Sequence, residues 1–134
     1  MRTYSRVYAK VSLDAICDNV KAIETIMKPG TQIIAVLKVD GYGHGALPIA
    51  EELESMDTVF GYGVATVDEA STLREHHIKK PILIFGHSFK EQYRTIVEEE
   101  LRACVFKYDL AVGLSEEAVR LRKTVKIHIK IDTG

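Results

Sequence analysis

Ile33-Ile34-Ala35-Val36-Leu37 is a run of five apolar residues without a polar interruption. A strand with one wet face alternates, so an unbroken run suits a strand covered on both faces, as in a parallel α/β sheet. It leads into Lys38 and then into Val39-Asp40-Gly41-Tyr42-Gly43-His44-Gly45-Ala46. A strand is therefore expected over 33–38, with the lysine at its carboxyl end, where parallel α/β folds assemble their sites. A lysine amine forms Schiff bases with carbonyl compounds. The glycines that follow let the backbone approach a phosphate before a helix opens.

Strand-like and helix-like segments alternate along the rest of the chain. Residues 6–13 alternate polar and apolar, as a half-buried strand does. Leu13, Ile16, Cys17, Val20, Ile23 and Met27 then recur at helical spacing until Pro29-Gly30. After the glycine turn, Leu47, Ile49, Ala50 and Leu53 mark a helix that tolerates Pro48 in its first turn. Strands are expected over 58–65, 82–85, 103–106 and 125–132. Thr66-x-x-Glu69 reads as a capping box opening a helix to about residue 77, and Ser88-x-x-Glu91 as a second box before a helix to residue 99. Residues 109–122 hold one helix or two short ones. This βα rhythm predicts a parallel sheet with right-handed crossovers.

Two architectures fit such a series: a complete doubly wound sheet, or part of an eight-stranded barrel, which typically needs roughly 250 residues. The last strand favours the barrel. Lys126, His128, Lys130 and Asp132 share one face while Val125, Ile127, Ile129 and Ile131 share the other. A solvated edge strand would show the same pattern; inside a barrel the polar row would line the site.

Composition narrows the class further. The chain has 134 residues, the size of one ordinary domain, and its hydrophobic fraction of 46% is enough for a core. A formal net charge of -1 argues against a nucleic-acid or membrane-surface role. The apolar runs fall far short of the roughly 20 residues needed to span a bilayer, and the first residues do not read as a signal peptide. Cys17 and Cys104 stand apart without zinc-like spacing. They read as reduced core residues of a cytoplasmic protein. His76, His77, His87 and His128 offer no metal-ligand spacing, so no metal is expected.

The segment from Ala35 to Ala46, with Tyr42-Gly43-His44-Gly45 as its most specific part, resembles the pyridoxal-phosphate attachment motif of alanine racemases. Val7 to Ala15 is similar to that family's opening segment. Val64 to Arg74, Pro81 to Gly86 and His128 to Gly134 follow in the family's order. The resemblance covers essentially the whole chain but only the first third or so of the family's length. It implies that residues 1–134 are the N-terminal portion of a (β/α)8 TIM-type barrel, about five strands with their helices, truncated before the family's β-rich C-terminal domain.

What the resemblance implies for function follows residue by residue. Lys38 would hold pyridoxal 5'-phosphate as an aldimine and act as the base on one face of the substrate α-carbon. To do so it must be neutral, which needs its pKa lowered from about 10.4 by burial or a nearby cation. Tyr42 would contact the cofactor phosphate through its hydroxyl. Lys130 matches a position that is carbamylated in several family members, where the resulting anion orients an arginine; a simple ion pair with Asp132 is the competing reading. His44 belongs to the motif, although a histidine in a glycine turn more often serves as a structural hydrogen-bonder. The implied activity is interconversion of L- and D-alanine, supplying D-alanine for peptidoglycan, in a cytoplasmic homodimer. The second base, a tyrosine from the partner subunit's β-rich domain in the family, has no counterpart in this sequence.

Two other readings compete. Gly41-x-Gly43-x-x-Ala46 formally satisfies a dinucleotide-binding fingerprint after a strand. That fingerprint also wants an acidic residue ending the next strand, where Val64-Ala65-Thr66 stands instead. A non-catalytic pyridoxal-phosphate carrier of barrel fold would share the lysine without the Tyr-Gly-His-Gly turn.

Overall fold

A computed structural model describes residues 7–134. Five strands form one sheet: β1 (Ile33–Val36), β2 (Val59–Val64), β3 (Ile82–Ile84), β4 (Arg102–Val105) and β5 (Lys126–Ile129). Every pairing is parallel, and the spatial order is β1-β2-β3-β4-β5. This order decides between the two architectures. A doubly wound sheet reverses direction at a switch point, whereas a strictly sequential order with right-handed crossovers puts every connecting helix on one face, as a barrel wall requires.

The helices are α1 (Leu13–Ile26), α2 (Lys38–Gly43), α3 (Ala46–Leu53), α4 (Val67–Glu75), α5 (Tyr93–Glu98) and α6 (Tyr108–Arg120). α1 starts where the sequence suggests: the Ser12 hydroxyl accepts from the Ala15 N–H at 3.3 Å. α4 opens on the expected box. The Glu69 N–H donates to the Thr66 hydroxyl, and the Glu69 carboxylate accepts from the Thr66 N–H. The segment over 109–122 is a single helix, α6, reaching Arg120.

Strand register sorts the side chains into two sets. Tyr62, Val64, Ile82, Ile84, Ala103 and Val105 face the helices and join Leu53, Leu73, Ile96, Leu110 and Leu114 in one buried core. The opposite face carries Val36, Gly63, Leu83, Arg102 and Lys126 in one row, with Cys104 paired to His128 one step towards the carboxyl ends. This is the interior face of the wall. Gly63 leaves room there for the Phe85 ring, whose atoms lie 2.5 Å from where a Cβ would stand. The buried Tyr62 hydroxyl donates to Ala50 O at 2.8 Å and to Glu54 at 2.9 Å, and burial followed by this partner pushes its pKa up. Glu54 also accepts from the Lys79 and Lys80 N–H groups, tying α3, β2 and the β3 approach together.

Three expectations need correction. The strand expected over 6–13 is absent where it can be judged. Residue 6 lies outside the described residues, and 7–12 run as irregular chain up to α1. Val7 and Tyr8 are 85% and 80% exposed. Alternation suits a half-buried strand, but a strand also needs a neighbour, and this segment does not join the β1 edge. The second capping box does not form, and half of one stands a residue later. Phe89, with extended backbone, is the half-in residue, and its N–H donates to Gln92 Oε1 at 3.0 Å, while the buried Ser88 hydroxyl makes no hydrogen bond among the described residues. Lastly, β1 ends at Val36, so Lys38 opens α2 instead of closing the strand.

Candidate functional site

The carboxyl ends of β1 to β5 converge on one rim, and the motif residues 38–46 form its β1 corner. From Val39 to Tyr42 the backbone winds left-handed, with φ of 54, 50, 60 and 55°. For each non-glycine residue this conformation costs roughly 1–2 kcal/mol over the right-handed one. Such a run persists only where its surroundings over-determine it. Gly41 is the one residue of the four that adopts it without strain. A Cβ there would also crowd Ile49, at 3.3 Å.

Several hydrogen bonds hold the turn. The Gly41 N–H donates to Leu37 O at 2.8 Å, and the Gly45 N–H to Asp40 O at 2.9 Å. Asp40 Oδ1 accepts from the Ala46 N–H at 2.8 Å, at the first residue of α3. His44 Nδ1 lies 3.0 Å from Gly41 O and 3.2 Å from Tyr42 O, so the ring is a brace of the turn, as the structural reading of this histidine expects. From outside the turn, Glu69 Oε1 accepts from the Val39 N–H at 2.7 Å, while its Oε2 accepts from the Ala65 N–H at 2.7 Å.

Lys38 is half-buried and stands two residues beyond Val36, the last residue of β1. Its Nζ lies 5.7 Å from the centroid of the Tyr42 ring, which is 59% exposed. A half-buried amine and an exposed phenol ring thus lie side by side at the end of β1. Gly43, beside them, has nothing within 4 Å of a Cβ position. The same geometry disfavours the dinucleotide reading: the α3 N-terminus, where a pyrophosphate would sit, already holds the Asp40 carboxylate.

Lys130 lies across the rim, just beyond β5, and its N–H donates to Val105 O at 2.8 Å. None of the three ion pairs among the described residues includes it. Its charge reaches Cys104, whose thiol is pushed up by burial and partly drawn back by Lys130. Between Lys38 and Lys130, His87 packs edge-on to Phe89 and tilts against Phe106, with ring centroids 4.9 and 5.7 Å away. His87 is therefore an aromatic packing partner. Glu69 is the site residue that sequence reasoning took for a helix cap alone; no local pattern signals that its second oxygen reaches Val39.

A sequentially ordered parallel wall, with a lysine amine and a phenol ring together at its carboxyl rim, defines the chain as part of a (β/α) barrel. Comparison with known proteins makes the assignment specific. Residues 11–134 match the family described as alanine racemase, N-terminal domain. Alanine racemase 1 of Caldanaerobacter subterraneus subsp. tengcongensis is 46% identical over 125 residues, covering 93% of this chain and 32% of that protein. The crystal structure of alanine racemase from D-cycloserine-producing Streptomyces lavendulae superposes with a TM-score of 0.89 at 30% identity, covering 99% of this chain and 34% of that one. Alanine racemase of Clostridium difficile 630, in complex with cycloserine, superposes at 0.86 and 30% identity, covering 91% and 32%. The chain belongs to the alanine racemase N-terminal-domain family, and it spans about a third of the length of these relatives.

Proposed function

We propose that residues 1–134 form the first part of the barrel of an alanine racemase that uses pyridoxal 5'-phosphate to interconvert L- and D-alanine. The observation that carries this reading is Lys38, just past the carboxyl end of β1, with its Nζ 5.7 Å from the centroid of the Tyr42 ring. The pair fits the group: an amine for an aldehyde, and a phenol donor for a phosphate, in a turn with open space at Gly43. When bound, pyridoxal phosphate supplies the electron sink that makes the α-proton of alanine acidic. Lys38 Nζ would hold the cofactor by its aldehyde carbon, and as a free, neutral amine it would take or return the proton at the substrate Cα on one face. The Tyr42 hydroxyl would donate to the cofactor phosphate. The reading carries with it a cytoplasmic homodimer, a second base from the partner subunit and a role in supplying D-alanine for peptidoglycan. No described helix is long and apolar enough to cross a membrane.

The direct test is borohydride reduction of the full-length protein loaded with pyridoxal phosphate, followed by peptide mapping. The label is expected on Lys38, and a label on any other lysine overturns the assignment. Tyr42→Phe removes one donor to a charged acceptor, an interaction of about 1.5–3 kcal/mol. It should weaken cofactor retention about 10- to 100-fold, read by dialysis and absorbance, with a smaller effect on kcat in excess cofactor.

Lys130 enters the proposal as a carbamylated lysine. Carbon dioxide would add to the neutral amine, whose nitrogen gives up a proton to solvent, leaving a carbamate anion that would orient an arginine of the full-length protein. Its freedom from the ion pairs among the described residues supports this over pairing with Asp132. Full-length protein in isotope-labelled bicarbonate should show a carbamate carbon resonance that disappears in Lys130→Arg. A resonance that survives the substitution assigns the adduct elsewhere.

A further inference from the structure

Glu69 does more than close the N-terminus of α4. Its two oxygens accept from three backbone N–H groups on two separate segments. Oε2 takes Ala65 and Thr66 at 2.7 and 3.3 Å, at the end of β2 and the start of α4. Oε1 takes Val39 at 2.7 Å, thirty positions away, at the residue directly after Lys38. Val39 is the first of the left-handed residues and the only β-branched one among them, so it is the least suited to that conformation. Packing gives limited support beneath the turn. A partly open cavity of about 220 Å³, lined by Leu37, Asp40, Leu47, Val64 and Glu69, lies between it and α4. Hydrogen bonds, above all this cross-segment one, therefore set where the turn sits.

We propose that Glu69 is a positioning residue for Lys38. Its carboxylate ties the strained turn to the end of β2 and so fixes the reach and direction of the lysine amine at the rim. The idea rests on the functional reading above for its catalytic consequence, but its structural half stands on the clamp alone. A carboxylate suits the task because both oxygens are acceptors. A carboxamide would present an N–H to one of the backbone N–H groups, and aspartate is one methylene too short to span both segments.

The test uses the full-length protein with Glu69→Gln, Glu69→Asp and, as a control for helix capping alone, Thr66→Ala. Thr66→Ala removes the hydroxyl that accepts from the Glu69 N–H and leaves the carboxylate free to reach Val39. In Glu69→Gln, misplacement of the amine should lower kcat about 10- to 100-fold, with KM for alanine changed less than about threefold. Amide exchange over residues 38–42 of the cofactor-free protein should rise about tenfold or more as the turn opens locally. Glu69→Asp should follow Glu69→Gln. Thr66→Ala should lower the thermal midpoint while leaving kcat and that exchange close to wild type. A Glu69→Gln protein with kcat within about twofold of wild type overturns the proposal, as does unchanged exchange over 38–42. A Thr66→Ala protein that reproduces the kcat loss also overturns it, by reducing Glu69 to a helix cap. If the unsubstituted full-length protein fails to racemise alanine, the functional reading falls. Exchange at 38–42, together with the rate at which Lys38 is trapped by pyridoxal phosphate and borohydride, then decides the clamp.

Discussion

Lys38→Ala in the full-length protein is expected to lower the rate of alanine racemisation by at least about a thousandfold. Two losses combine in that figure. General-base transfer by a positioned side chain is worth roughly 10²–10⁴ in rate, and the same substitution removes the nucleophile that binds the cofactor aldehyde. The effect should be chemical and not one of folding. Lys38 is half-buried, and the contact the structure shows for its amine is the Tyr42 ring at 5.7 Å. The core beneath it is built from Leu37, Val64 and Leu73, which the substitution does not touch. Circular dichroism and the thermal midpoint should therefore stay near wild type while turnover vanishes in an assay begun from either enantiomer. Turnover within tenfold of the unsubstituted protein would remove Lys38 from the role of base and leave the rim without an assigned amine.

Much of the wall was legible because parallel strands and their helices carry strong local signals. The unbroken run before Lys38 marked a strand, although β1 is half-buried and not covered on both faces, with Val36 39% exposed, and Thr66-x-x-Glu69 marked the start of α4 with both of its hydrogen bonds. Sequential strand order was not legible, because order is fixed by which neighbours pair, and pairing leaves no trace in periodicity. The same gap explains the strand expected over 6–13. Its alternation is genuine, yet residues 7–12 add no strand to the sheet.

The site was legible in its chemistry and not in its backbone. An amine followed by alternating glycines implied a special turn. That Val39, Asp40 and Tyr42 would share the left-handed conformation of Gly41 runs against their own preferences. Such strain is held by a contact distant in sequence, Val39 with Glu69, beside the bond from the Ala46 N–H to Asp40 within the turn, and no local pattern encodes the first. The shift from Ser88 to Phe89 as the half-in residue is a smaller case. Both frames offer an acceptor three residues on, and the backbone at Phe89 selects Gln92.

The 134-residue chain on its own is expected to show no measurable racemisation, and to associate. β5 is the last strand of the sheet, so its outer row of backbone groups has no neighbouring strand among the described residues. Ile129 and Ile131 are 75% and 76% exposed beside it. A cavity of about 310 Å³ lined by Val105, Phe106, Tyr108, Ala111 and Ile127 adjoins the same edge. An uncovered, apolar edge strand is a template for pairing with another copy. Light scattering at micromolar concentration should therefore give a mass above one chain, and Ile129→Lys with Ile131→Lys should shift it back towards the monomer. A monomer before substitution would show that the edge is harmless. The catalytic half of the expectation has a separate cause. Racemisation needs a proton delivered to the face of Cα opposite Lys38, and under the proposed reading that base comes from the partner subunit's β-rich domain. With Lys38 alone, the chain could at most exchange the α-proton on one face, retaining configuration. Deuterium uptake into alanine without loss of optical purity, in the presence of pyridoxal phosphate, would match that limit. Racemisation within tenfold of the full-length protein would mean that both bases lie within these residues, and that the division of labour proposed for Lys38 is wrong.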